Sequence, residues 1–573
     1  MQALAHKGIL VSDFTMNVLA GYLNNDSTSP GIQTTIAPFG QVMQLLMDDE
    51  QDCWRTTPDL GIVWTRPEAV IEGFNKTLQF ETVDLNHILQ QVDAYCDALG
   101  RLQHRLKWVF IPTWLLPGYH RGLGALDLRA NGGIAHTLMH MNLRLAENLG
   151  TIPNYVVLDA QKWIARVGQR AFDSKLWYLG KIPFTNDVFK EAVRDVKAGV
   201  RALSGKGKKL IILDLDDTLW SGAVGDLGWQ DLVLGGHDPI GEALVDFQKE
   251  LKALKNRGIL LAVVSKNEES VALEAIRKHP EMVLRAEDLA AWKINWQDKA
   301  KNVMELVTEL NLGLDSTVVI DDNPAERARV REALPDVFVP DWPKDKLLYR
   351  QALLALDCLD SGLISSEDRL RSNMYKVERD RTLLRSKVGS VEEWLDTLNT
   401  QLTIELLNDE NLGRVTQLFN KTNQMNLSTR RMTASELVTW TSRESCQLFA
   451  FRVSDRFGDS GLTGILSTEV QEEALQIVDL ILSCRVMGRH IEQAMLSLAV
   501  EYGRMRRLKH LSARYIATEK NKPCLDFLLH SGLTRDSYDS FHCDLSQPYP
   551  MPRHIRVHNE IQWMHMAHSR NAS

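Results

Sequence analysis

Short unbroken apolar runs recur along the chain and alternate with longer stretches in which apolar residues return every three or four positions. The runs Gly8–Val11, Leu60–Trp64, Trp108–Ile111 and Tyr155–Leu158 have strand length. Asn86–Leu102 and Ile134–Asn148 have the helical period. Strands alternating with helices predict an α/β layer with a parallel sheet over 1–200. The Gly- and Lys-rich stretch Leu203–Lys209 predicts a linker. Buried-type strands return at Leu210–Leu213, Leu260–Ser265 and Thr317–Ile320, so 205–361 is expected to be a second α/β unit. The charged run at 362–395 predicts a connecting helix on the outside. A third unit, 396–545, mixes strands and helices, including a strand Ala474–Cys484 and a helix Ile491–Tyr502. From 546 to 573, three prolines and His554, His558, His565 and His568 predict a solvated tail. No repeat of fixed period runs through the chain.

At roughly 150 residues per domain, 573 residues imply three or four domains, which fits this division. With 44% apolar and 24% charged residues, disordered, collagen-like and membrane compositions are excluded. A net charge of -8 and a pI near 6.1 provide no global field for nucleic acid or anionic lipid. Seven cysteines, odd in number and never spaced C-x-x-C, argue against a disulfide framework or a thiolate zinc site. A reducing cytoplasm is expected. The first residues read as a strand and not as a signal peptide, and no run approaches the roughly 18 apolar residues that span a bilayer.

The strand Leu210–Leu213 runs directly into Asp214-Leu215-Asp216-Asp217-Thr218, placing two carboxylates in the strand-end crevice where α/β sheets bind ligands. Such a pair suits phosphoryl transfer: one carboxylate attacks phosphorus, the other protonates the leaving oxygen, and a divalent cation screens their repulsion. By itself, D-x-D is equally compatible with a turn or helix cap. It is followed, however, by Ser265-Lys266-Asn267 at the end of the next strand, by Lys299 within Asn295–Lys299, and by Asp321-Asp322-Asn323 after Thr317–Ile320. In this order and on strand ends, the four elements resemble the motifs of the haloacid dehalogenase (HAD) superfamily. The resemblance implies Asp214 as nucleophile, Asp216 as general acid/base, and Ser265 and Lys299 as the phosphate-orienting pair. Thr218 and Asn267 join them as phosphate-binding residues. Asp214, Asp216 (through its backbone), Asp321 and Asp322 are implied as the Mg2+ site. Lys293 competes for the lysine role, but its context suggests a surface position. Neither the Asp216–Ser265 gap nor the Ser265–Lys299 gap has room for a separate capping domain. The expected fold class is therefore a capless Rossmann-like HAD core in a multidomain α/β chain, with a site that is open or borrows a lid.

The string Leu213–Gly225 further resembles the FkbH-like subgroup, with Asp217 and Ser221 in place of the more usual Asn and Gly. Asn295–Lys299, Lys421–Leu427, Asp455–Asp459 and Ser483–Arg489 are similar to the same subgroup. The resemblance implies a glyceryltransferase/phosphatase for polyketide biosynthesis, which loads the glyceryl unit of 1,3-bisphosphoglycerate on the phosphopantetheine thiol of an acyl carrier protein. Attack by Asp214 on the acyl phosphate would discard the activation, so a thiol must capture the acyl group while the HAD site removes the ester phosphate. That thiol belongs either to the carrier or to an enzyme cysteine. The turn Arg485-Val486-Met487-Gly488-Arg489-His490 before a helix resembles the pyrophosphate loop of the GNAT acyltransferases, with His490 where a small residue is usual. This suggests an α+β domain that holds the carrier arm through Arg485, Gly488, Arg489 and Asn521. Cys484, beside Arg485 and near a helix N-terminus, is the candidate acyl-accepting thiol; the other reading is a structural cysteine at a strand end. The first domain resembles the SGNH hydrolase fold but lacks the usual order of its nucleophile block. Ser12 remains a candidate nucleophile, Asp84–His87 reads as a helix cap, and the domain is expected to be scaffold or lid. The competing functions are a Mg-dependent phosphatase acting on a sugar or protein phosphate, and a non-catalytic carrier-docking scaffold.

Overall fold

The apolar runs become parallel strands, most of them buried on both faces. The computed structural model describes residues 5–48, 50–130, 132–152, 154–360, 390–536 and 539–559. The chain divides after Arg201 into two compact units.

In the first unit, β1 (His6–Val11), β2 (Ile32–Ile36), β3 (Leu60–Val63), β4 (Trp108–Pro112) and β5 (Tyr155–Leu158) form one parallel sheet in the order β2-β1-β3-β4-β5. Ile9, Val11, Val63, Val109 and Ile111 pack against Ile88, Val92 and Leu99 of the helix Leu85–Gly100 and Met141 and Leu145 of Ile134–Gly150. Each such side chain contributes roughly 1.5–3 kcal/mol on burial. The strand absent from the sequence reading, β2, is an edge strand with a mostly exposed face.

The second unit opens with a four-stranded parallel sheet. It comprises β6 (Leu210–Leu213), β7 (Leu260–Ser265), β8 (Ala291–Ile294) and β9 (Thr317–Ile320), in the order β8-β7-β6-β9. Ile211 and Leu213 enter one core with Val263 and Ile320, while Leu210 and Ile212 enter the opposite one with Ala262 and Val319. Successive strand side chains point to opposite faces, so every residue of β6 is buried. Between Asp216 and Ser265 the chain forms only the short helix Val224–Leu227, its flanking loops and the helix Pro239–Asn256. That gap therefore contains no capping domain.

The remaining strands build one mixed sheet. They are β10 (Thr400–Leu406), β11 (Met425–Asn426), β12 (Cys446–Asp455), β13 (Gly458–Gln471), β14 (Ala474–Leu482), β15 (His510–Arg514), β16 (Thr534–Arg535), β17 (Ser540–Asp544) and β18 (Ile555–Asn559). β12, β13 and β14 form an antiparallel meander, after which the helix Ile491–Met505 crosses over to β15, parallel to β14. β15 follows β14 only from Ala474 to Ile477, and the far end of β14 pairs instead with β11, Met425 opposite Leu482. The mixed α/β multidomain class matches the sequence expectation. Two boundaries change. Residues 555–559, expected in a solvated tail, form β18 beside β10, because Thr400–Ile404 offers a sheet edge to a segment alternating Ile, Arg, Val and His. The Gly-rich stretch expected as a linker is packed: a Cβ added at Gly205 would lie only 2.0 Å from the Asn420 carbonyl oxygen. The connecting helix expected at 362–395 lies mostly outside the described residues, which resume with Ser390 and the helix Val391–Leu398.

Candidate active site

The C-terminal ends of β6, β7 and β9 bring the sequence-selected carboxylates together. Asp214 follows β6 directly, and its N–H donates to the carbonyl oxygen of Ile320, which fixes it beside Asp321. Asp214, Asp321 and Asp322 each offer an oxygen within 4.8 Å of the others. Lys299, the first residue of the helix Lys299–Glu309, is 4% exposed; its Nζ lies 2.8 Å from Asp214 and also pairs with Asp321. Burial and the neighbouring Asp214 charge push the Asp321 carboxyl up to about 6, and the same two causes raise Asp322. Burial works against the Lys299 ammonium, but the Asp214 and Asp321 carboxylates outweigh it and hold its pKa above the usual lysine value. The other oxygen of Asp214, Oδ1, is buried without a hydrogen-bond partner. Acidic oxygens gathered this closely, one of them unsatisfied, form a donor set for a hard divalent cation.

Asp216 faces another way. Its Oδ1 accepts from Trp220 Nε1 at 2.8 Å and Val224 N at 3.1 Å, and its Oδ2 accepts from Asn267 Nδ2 at 3.0 Å. Asn267 also donates to Ser265 Oγ at 3.2 Å, linking the first two motifs. Between the two aspartates of D-x-D and Thr218, Asp217 adopts a left-handed φ of 57°, a conformation that Asp and Asn tolerate better than most residues.

A solved structure of the N-terminal part of a Bacteroides fragilis protein containing a phosphatase domain, complexed with Mg, is 30% identical over 63% of this chain and 95% of that one, with a TM-score of 0.56. The chain belongs to the HAD-type phosphatases. No family model matches it, and no curated protein is similar to it. Two acetyltransferases, a spermidine N-acetyltransferase from Vibrio cholerae and the ribosomal-protein-S18-alanine N-acetyltransferase from Escherichia coli, are 14% and 10% identical. Each aligns with 26% of this chain and 95% of its own, at TM-scores of 0.21 and 0.20. At that level neither fold nor activity carries over.

The structure adds detail to the sequence expectation. The Asp216 carboxylate lies outside the three-carboxylate group, and the sequence reading assigns only its backbone to the metal. Thr218 is fully buried and serves Asp322: its hydroxyl donates to Asp322 Oδ1 at 3.2 Å and accepts from Asp322 N at 3.3 Å. Lys293 pairs with Glu309 at 3.0 Å, away from the HAD lysine position. Sequence reasoning missed Arg327, whose Nη1 donates to the carbonyl oxygens of Asp321 and Asp322 at 2.7 and 2.6 Å and so shapes the third-motif turn. It also missed Lys346, which pairs with Asp217 and donates to Ser221 Oγ at 2.7 Å. Arg327 could have been noticed on the first turns of the helix that begins at Pro324. Lys346 lies too far along the chain for any local signal.

The candidate carrier-binding residues separate into two groups. Cys484 and Arg485 form a short 3-10 turn after β14, and both line a cavity. Gly488 has a φ of 74° with open space on its side-chain face. Arg489 and Asn521 are committed internally. Arg489 is 1% exposed, paired with the fully buried Asp455 at 3.0 Å, and donates to the Arg485 carbonyl oxygen at 2.7 Å. Asn521 is also fully buried. Its amide donates to the carbonyls of Asn426 and Ile516 at 3.0 and 2.8 Å, and its oxygen accepts from Tyr515 and Thr518. Both side chains therefore hold the loop and β11 in place. In the first unit, Ser12 is buried and its hydroxyl accepts from Phe14 N at 3.1 Å, a local turn. Asp84 caps its helix through Asn86 N, as expected, and His87 pairs with Gln91.

Proposed function

We propose that the chain is a Mg2+-dependent glyceryltransferase/phosphatase of the FkbH-like type, which dephosphorylates a 1,3-bisphosphoglycerate-derived unit and transfers its glyceryl group to the phosphopantetheine thiol of an acyl carrier protein. The observation that carries the phosphatase half is the group of buried Asp214, Asp321 and Lys299 with half-buried Asp322, and Asp216 held by three donors nearby. Asp214, Asp321 and Asp322 are the residues that would hold Mg2+. When bound, the ion neutralises the charge that these carboxylates and the substrate phosphate bring together.

A carboxylate oxygen of Asp214 attacks phosphorus of the ester phosphate, the bond from phosphorus to the carbon-bound oxygen breaks, and Asp216 gives that oxygen its proton. Water then attacks the aspartyl-phosphate, returns a proton to Asp216, and frees phosphate and Asp214. Lys299 and Ser265 orient the phosphate, and Asn267 keeps Asp216 aligned with Ser265. Acyl capture is a separate reaction: a thiolate attacks the carbonyl carbon of the acyl phosphate, the carbon–oxygen bond breaks and phosphate departs. Cys484 is the enzyme thiol best placed for it, half-buried in a cavity wall, whereas Cys524 is fully buried with its thiol pushed up to about 12 by burial.

Replacing Asp214 by Asn is expected to stop Mg2+-dependent phosphate release; continued turnover would remove Asp214 from the nucleophile role. Cys484→Ser is expected to abolish any covalent acyl-enzyme, and unchanged carrier loading would make the carrier thiol the direct acceptor. Phosphate release without carrier loading would point to the simpler reading, a phosphatase acting on another phosphate ester.

A further inference from the structure

A cavity of about 430 Å³ opens at the end of β14, within the range of roughly 300–1,000 Å³ typical of small-molecule sites. Among the described residues, seven lysine and arginine side chains line it against two acidic ones, in a chain whose overall charge is -8. The cations come from distant parts of the sequence: Lys206 and Lys209 from the stretch before β6, Lys421 and Arg485 from the two strings that follow one another around β11 and β14, and Lys522 from the helix Lys522–His530. Cys484 shares this wall. Leu312, Leu418 and Pro523 supply an apolar portion.

The walls are tied together without a ligand. Asn311 Nδ2 donates to the Cys484 carbonyl oxygen at 3.1 Å, and Lys520 pairs with Asp315 across the rim. Lys209 Nζ lies 3.4 Å from the Lys421 carbonyl oxygen. Gly205 fixes the approach of Lys206, since its φ of 73° and its contact with Asn420 leave no room for a side chain. The alternative slot, where β15 departs from β14, is filled by the chain itself. Leu427 N donates to the Leu480 carbonyl, Ile516 N donates to the Leu427 carbonyl, and Asn521 holds Asn426. An extended ligand cannot add to β14 there, whereas the cavity beside it is open.

Like charges gathered around one space repel, and an anion placed among them recovers that energy. We propose that this cavity binds a phosphate ester, the phosphate among Lys206, Lys209, Lys421 and Lys522 and the rest of the molecule running to the Cys484 sulfur. A phosphopantetheine arm and a phosphorylated three-carbon acid share this chemistry, and the choice between them rests on the proposed function.

The test uses the full chain and the rate at which iodoacetamide labels Cys484, read by peptide mass spectrometry. The probes are 4′-phosphopantetheine and pantetheine without phosphate, each with its own thiol capped as the S-methyl thioether so that it does not consume iodoacetamide, and 3-phosphoglycerate. At least one phosphate ester is expected to slow Cys484 labelling while pantetheine does not. In Lys206→Ala/Lys522→Ala the half-protecting concentration should rise about tenfold or more, as expected on losing charged hydrogen bonds to phosphate. Protection by 4′-phosphopantetheine identifies the arm, and protection by 3-phosphoglycerate identifies the acid. Cys524 in the same digest reports folding, because a buried thiol stays unlabelled. Equal protection by pantetheine, no protection by either phosphate ester, or unchanged protection in the folded double variant would overturn the proposal. Failure of the proposed function would appear elsewhere, as continued phosphate release by Asp214→Asn.

Discussion

Replacing Lys299 by Met tests whether the HAD carboxylates are held together by one buried ammonium. Lys299 lies 2.8 Å from Asp214, is bonded to Asp321, and its side chain is 5% exposed. Breaking a buried ion pair from one side typically costs about 3–5 kcal/mol. The site has a way to limit that cost, since a carboxylate can take up a proton. Asp321 stands at about 6 with Lys299 still lowering it, so without Lys299 its protonation at pH 8 takes at most roughly two pH units, or about 3 kcal/mol. A folded-state value above the ordinary 3.8 means that the folded protein binds more protons through that window, so stability falls as pH rises from about 4 to 6. Losing Lys299 extends that fall to higher pH. The expected destabilisation is therefore up to about 3 kcal/mol at pH 8 without divalent ions and under about 1 kcal/mol at pH 5.5, where the proton is already largely bound. Hydrogen exchange of the β6, β7 and β9 amides, corrected for intrinsic rates, measures this locally. Mg2+ at pH 8 should return part of the loss. Equal destabilisation at both pH values, or none at pH 8, would refute the electrostatic account of this site.

At the left-handed position 217, Asp217→Asn keeps the backbone conformation and loses only the partly exposed ion pair to Lys346, so it should cost under about 1 kcal/mol, whereas Asp217→Val should cost about 1–2 kcal/mol more from backbone strain. Arg489→Met leaves Asp455 charged and fully buried, so it should lower stability by about 3–5 kcal/mol, and Arg489→Met/Asp455→Leu should recover most of that loss. A direct ligand role for Arg489 would instead show as weaker carrier binding without lost stability. In the native protein at pH 8, a thiol-reactive probe should modify Cys484 while Cys524 remains unmodified until the chain is unfolded.

The sequence made visible what local burial controls. Leu210–Leu213, Leu260–Ser265 and Thr317–Ile320 match their observed strands because these fully buried apolar runs end abruptly at polar catalytic-type residues. The edge strands β2 and β8, with their partly exposed polar positions, and β18, following three prolines, carried no comparable pattern. The same division holds at the site. Asp214, Ser265, Lys299, Asp321 and Asp322 were readable because strand ends and a helix start place them. The internal commitment of Arg489 was not, because its partner Asp455 lies on another strand, and neither was the role of Asn521 in holding β11. Long-range ion pairs follow from tertiary packing, and a charged residue near a loop looks the same in sequence whether it faces a ligand or a buried carboxylate.

The most direct measurement of the central claim is the intact mass of a holo acyl carrier protein incubated with this enzyme, Mg2+ and a system generating 1,3-bisphosphoglycerate. The account predicts a carrier heavier by one dephosphorylated glyceryl thioester, lost when Asp214→Asn replaces the native enzyme. A carrier that stays unloaded while phosphate accumulates would contradict glyceryl transfer and leave the chain a HAD phosphatase with a different substrate.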